Sequence, residues 1–92
     1  DRARSLNNLA IRLSETGDRL GALRAAQRAA ELYQDLARDN PAAFTPDLAI
    51  SLYNLAISLS ETGDRQGALR AAQRAVELRE DRARDNPAAV TP

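Results

Sequence analysis

The chain has 92 residues, enough for one small domain, and its thirteen arginines, with no lysine, balance thirteen Asp plus Glu. A net charge of zero gives no field to draw it toward nucleic acid or an anionic membrane. Without Cys or His there is no disulfide, no thiolate nucleophile, no usual general base and no common zinc ligand, so neither a cofactor nor an enzymatic reaction is expected.

Residues 1–46 are written again as residues 47–92: ten of the 46 aligned positions differ, which leaves 36 identical. Self-similarity at a spacing of about 20 to 50 residues marks a solenoid, in which each unit buries its apolar face only against a neighbour. In chain order, the first helix is expected from about Arg2 to Glu15, with Leu6, Leu9, Ala10 and Leu13 on one 3.6-period stripe. Gly17-Asp18 ends it, and a second helix follows from about Arg19 to Asp39, with Ala22, Ala26 and Ala29 on its inner side.

Asn40 to Phe44 reads as the only linker of any length. Thr45-Pro46-Asp47 then reads as a helix start: a hydroxyl cap, Pro at the first helical position and an acid at the positive end of the dipole. That third helix runs to Glu61 with Leu48, Leu52, Leu55, Ala56 and Leu59 inward. Thr62-Gly63-Asp64 turns the chain into a fourth helix from about Arg65 to Asp85, whose inner residues are Ala68, Ala72, Ala75 and either Leu78 or Val76. Asn86-Pro87 stops it. No apolar run approaches the ~18 residues of a membrane span, and Asp1-Arg2-Ala3-Arg4 heads no signal-like segment, so a soluble, cytoplasmic protein is expected.

The spacing Leu52-x2-Leu55-Ala56-x2-Leu59, Gly63-Asp64, Ala68, Ala72, Ala75, repeated one unit earlier as Leu6, Leu9, Ala10, Leu13, Gly17-Asp18, Ala22, Ala26, Ala29 and Pro41, resembles a tetratricopeptide repeat over essentially the whole chain. The 46-residue unit and the phrase Asn7-Asn8-Leu9-Ala10 are most similar to the longer repeats of kinesin light chains and bacterial multi-repeat scaffolds. Leu52, Leu59 and Ala72 stand where the family often has larger aromatics. The resemblance implies an all-α solenoid: a single domain, 1–92, of four helices in two antiparallel hairpins stacked as a right-handed superhelix. It also implies a ligand groove on the concave side, lined by the first helix of each unit.

The second stripe of those helices supplies the candidate site: Arg4, Asn7, Asn8 and Ile11, then Ile50, Tyr53, Asn54 and Ile57. An amide offers both a donor and an acceptor, so Asn8 and Asn54 suit the main chain of an extended peptide, and Tyr53 adds a flat amphipathic contact. Glu15 and Glu61 read as solvated helix ends. Glu80 with Arg84 and Asp35 with Arg38 read as exposed helical pairs. Gly17-x3-Gly21 and Gly63-x3-Gly67 lack the Lys and Ser or Thr of a phosphate loop and are explained by a cap and a close helix crossing.

The differences between the copies have a direction. Arg2, Arg4, Asn7 and Arg12 in the first unit replace Leu48, Ile50, Tyr53 and Ser58, and Arg79, Arg82 and Val90 in the second replace Tyr33, Leu36 and Phe44. Polar residues at the ends and apolar ones in the middle are what a capped two-unit stack needs. Tyr33, Leu36 and Phe44 are therefore expected to pack against Leu48, Ile50 or Leu52 across the junction. The sequence points to a non-enzymatic module that binds a peptide or protein segment, with no nucleic acid or membrane partner. The alternative is a self-associating unit, either a head-to-tail superhelix or a dimer exchanged about the PAAFTP linker, taken from a designed, recently duplicated or longer array.

Overall fold

Four helices account for nearly all of residues 2–85, the part described by the computed structural model: α1 (Arg2–Glu15), α2 (Arg19–Asp39), α3 (Pro41–Glu61) and α4 (Arg65–Asp85). The Asn86-Pro87 stop and the substitution at Val90 lie outside the described residues.

Each hairpin turn is the same device written twice. Gly63 adopts φ +93°, the Gly63 N–H donates to the Ser60 carbonyl at 3.1 Å, and the Asp64 N–H donates to the Leu59 carbonyl at 2.8 Å. This paired bonding around a left-handed glycine satisfies carbonyls that the helix end would otherwise leave bare. Gly17, at φ +88°, does the same with Ser14 and Leu13. The next residue then starts the following helix: Asp64 accepts from the Gly67 N–H at 2.8 Å, and Asp18 from the Gly21 N–H at 2.9 Å. A Cβ on Gly67 or Gly21 would run into that capping carboxylate, so these glycines make room for the cap and not for a crossing helix.

The expected linker between the units is helical. Asn40 ends α2, its N–H donating to the Leu36 carbonyl at 2.9 Å, and it also begins α3, its side chain accepting from the Ala43 N–H at 3.4 Å. Pro41 takes the first helical position, where a missing N–H has no cost. The start at Thr45-Pro46-Asp47 is thus corrected to Asn40-Pro41. Two proline starts lie five residues apart, and the earlier one carries the cap bond. Pro46 is left inside α3, where it cannot donate to the Ala42 carbonyl.

α2 packs against α3 as extensively as the helices within either hairpin pack on each other, whereas α1 and α3 touch only lightly. The core is largely alanine: among the described residues twelve of the fourteen buried apolar ones are Ala, the others being Tyr33 and Leu48. Alanine lets helix axes approach closely at no propensity cost but buries little area per residue. The large side chains gather at the junction, where Tyr33, Leu48, Ala3 and Ala37 are enclosed by Leu32, Leu36, Phe44, Leu52 and Leu78. A second cluster, Ala10, Ala25 and Ala26 with Leu13 and Leu55, fills the space beneath α1. Leu78 is thus the inward residue of α4, and Val76 is 52 % exposed.

Leu9, expected in the core, is 47 % exposed, because no helix lies over that side of α1 among the described residues. Its counterpart Leu55 is half-buried against Ala10 and the α2 alanines. With its first turn counted, α3 is 21 residues long and contains an 18-residue window of mean hydropathy 1.2, long and apolar enough to cross a membrane by those measures alone. Here it is packed between α2 and α4.

Replacing Gly63 by Val forces a β-branched residue into the left-handed region although a Cβ there meets no atom within 4 Å. Backbone strain alone should then lower stability by ~1 to 2 kcal/mol, read as a lower denaturation midpoint. Ser51 is fully buried and its hydroxyl has no hydrogen-bond partner among the described residues. Ser51→Ala removes that desolvated group, and we expect stability to rise by ~1 kcal/mol, or about 4 to 8 °C in the melt.

Candidate binding surfaces

Of the candidate site residues, Ile11, Asn54 and Ile57 line one depression and Ile50 and Tyr53 line another, while Arg4, Asn7 and Asn8 line neither. The first lies between α1 and α3, about 210 Å³ in volume, lined by Ala10, Ile11, Ser14, Glu15, Asn54, Ile57 and Ser58. Side-chain hydrogen bonds cross between α1 and α3: Asn54 Nδ2 donates to Asn7 Oδ1 at 3.4 Å, and Ser14 Oγ donates to Glu61 Oε1 at 3.1 Å. Asn54 therefore pairs with Asn7 and not with its repeat equivalent Asn8. The amide keeps a second N–H and free lone pairs on its oxygen for an added ligand. Asn8 is exposed beside it, and Ile11 and Ile57 present apolar surface at 40 % and 45 % exposure.

The second depression lies between α3 and α4, about 520 Å³, lined by Pro46, Ala49, Ile50, Tyr53, Ala72, Ala75, Val76, Arg79 and Arg82. Ile50 and Tyr53, at 57 % and 59 % exposure, belong here and not with Ile11 and Ile57. Helical rotation separates the stripe, since Tyr53 and Asn54 are adjacent in sequence and point about 100° apart. Sequence reasoning missed Ser14 and Ser58 in the first depression and the apolar floor of the second. The exchange of Ala30 for Val76 was the available signal for the latter.

Of the residues expected at the junction, Tyr33 and Leu48 are buried in its cluster and Leu36, Phe44 and Leu52 pack on them, while Ile50 lies outside it. Arg4 is exposed at the edge of this cluster, close enough to act electrostatically on Tyr33. Burial pushes the Tyr33 phenol above its ordinary value; Asp47 raises it further and Arg4 opposes this. Asp35 pairs with Arg38 at 3.4 Å, whereas Arg84 pairs with Asp81, three residues before it, in place of Glu80. Among the described residues no group of three or more Asp or Glu converges to hold a metal ion.

Short helices in antiparallel hairpins, capped twice by the same turn and stacked by one unit on the next, define a two-repeat α-solenoid. A family profile described as tetratricopeptide repeat matches residues 2–42 and 48–82. The chain belongs to the tetratricopeptide repeat family, whose repeats generally mediate protein–protein interaction. No curated protein and no solved structure matches it.

The raised Tyr33 pKa has a sign that solution experiments can read. The folded protein holds the phenolic proton more tightly than the unfolded chain does, so the contribution is complete below about pH 10 and is lost as pH rises through the folded value. We expect stability to fall from about pH 10 upward, and Tyr33→Phe to remove that part of the fall in melts recorded between about pH 9 and pH 11.

Proposed function

We propose that the protein is a non-enzymatic interaction scaffold that holds a peptide or protein segment along the α1–α3 groove. One observation carries the reading: a paired amide, Asn54 with Asn7, lies one helical turn before two exposed isoleucines, Ile11 and Ile57, on the face shared by the first helices. Such a mix of apolar surface and a few oriented polar groups suits an extended segment, whose main chain bonds to the amides while its side chains cover the isoleucines. Ile50 and Tyr53 would enlarge the contact only for a ligand long enough to pass over α3.

Peptides selected from a random display library against the 92-residue chain should shift the backbone NMR signals of Asn8, Ile11, Asn54 and Ile57. The double variant Asn8→Ala with Asn54→Ala should weaken them about tenfold. Binders that map elsewhere and ignore both substitutions would sink the reading.

A second reading, self-association, is favoured by uncovered apolar side chains at both ends: Leu9 and Leu20 at one, Ile50, Tyr53 and Val76 at the other. It predicts a mass that grows with concentration. Exchange of hairpins would have to use Asn40 as its hinge, since PAAFTP is part of α3.

A further inference from the structure

The groove at the α3–α4 end has a filled twin inside the same molecule. Moving back one unit of 46 residues, its Ala72, Ala75, Val76, Arg79 and Arg82 correspond to Ala26, Ala29, Ala30, Tyr33 and Leu36. The four earlier residues other than Leu36 are buried, Leu36 is half-buried, and the element packed on α2 is α3. Its occupant is therefore known in detail. α3 sets Leu48, 2 % exposed, into the cluster of Tyr33, adds Phe44 and Leu52, and brings the Asp47 carboxylate near the Tyr33 ring.

At the open groove Ala72 and Ala75 are kept on the floor, Val76 replaces Ala30 there, and the rim is changed. Arg79 and Arg82 are its only charged lining residues, and neither forms an ion pair among the described residues. A carboxylate placed where Asp47 sits in the filled version would meet the Arg79 guanidinium in place of a phenol.

We propose that the α3–α4 groove is a docking site for an amphipathic helix of another polypeptide, built like α3, with apolar residues at the positions of Leu48 and Leu52 and an acid at that of Asp47. This surface is distinct from the α1–α3 groove. A second copy stacked head to tail fits it less well. The incoming α1 would offer Asp1 and Leu6 at the positions of Asp47 and Leu52, but it would bring Arg2 in place of Leu48 and Arg4 in place of Ile50, which sets Arg2 against Arg79 in the most enclosed part of the contact. Like charges so placed oppose association.

A labelled synthetic peptide with the sequence of residues 40–61 is the probe, titrated by fluorescence anisotropy against the full 92-residue chain. We expect saturable binding, about tenfold weaker for Arg79→Glu and restored when the same protein meets the peptide carrying Asp47→Arg. Val76→Asp, on the exposed floor, should also weaken it, and Ile57→Asp, in the other groove, should not. Circular dichroism establishes that each variant is folded. The proposal is overturned by no binding at 1 mM peptide (about the weakest affinity worth calling specific), or by binding indifferent to Arg79→Glu, as exchange into the Tyr33 junction would be. It is also overturned if the chain alone doubles in mass with concentration and Val76→Asp abolishes the doubling, which would make a second copy the occupant.

Discussion

The burial of Leu48 beside Tyr33 is the contact on which the rest of the stack depends. Alanine supplies most of the enclosed residues, and it lets helices approach without removing much apolar area from water. Leu48 and Tyr33 each contribute ~1.5 to 3 kcal/mol by burial, while a domain of this length holds on the order of 5 to 15 kcal/mol in all. Both belong to the junction between units and not to the interior of either hairpin. Each hairpin alone is therefore an alanine-zipped pair with little to hold it, and the two fold as one object because the large side chains lie where they meet.

That dependence explains what the sequence could and could not reveal. Features set by a few adjacent residues were legible: both Gly-Asp turns, the bounds of α1 and α2, the start of α4, and the unequal copies that placed Tyr33, Leu36 and Phe44 at the junction between units. The start of α3 was misread because Thr45-Pro46 and Asn40-Pro41 are both valid starts, and choosing between them needs the cap geometry at Asn40. Exposure was the harder matter. Leu9 and Leu55 hold the same place in the same phrase, yet one is open and the other covered, since burial here is decided by whether a neighbouring unit is present.

The candidate site was legible as a set of residues but not as a shape. Nothing in the spacing of Ile50, Tyr53, Asn54 and Ile57 shows that α3 is shared by two grooves. The helix turns Asn54 and Ile57 toward α1 and presents Ile50 and Tyr53 to the space beside α4. A helix packed between two others has more than one functional edge.

Replacing Tyr33 and Leu36 by arginines in the second unit does more than add solubility. An open groove rimmed by Tyr and Leu would accept any apolar helix, including one from another copy, because hydrophobic contact has no sign. Arginine stems keep much of that apolar contact while their heads remain in water, so the floor stays usable. The charge then sorts the occupants. A helix with Arg in the place of Leu48, such as α1 of the same protein, is disfavoured although Asp1 precedes that Arg, and a helix with Asp just before a leucine anchor is drawn in. One duplicated unit thus yields two sockets with a common floor: a closed one that makes the fold cohere, and an open one in which two substitutions turn general stickiness into a choice of partner.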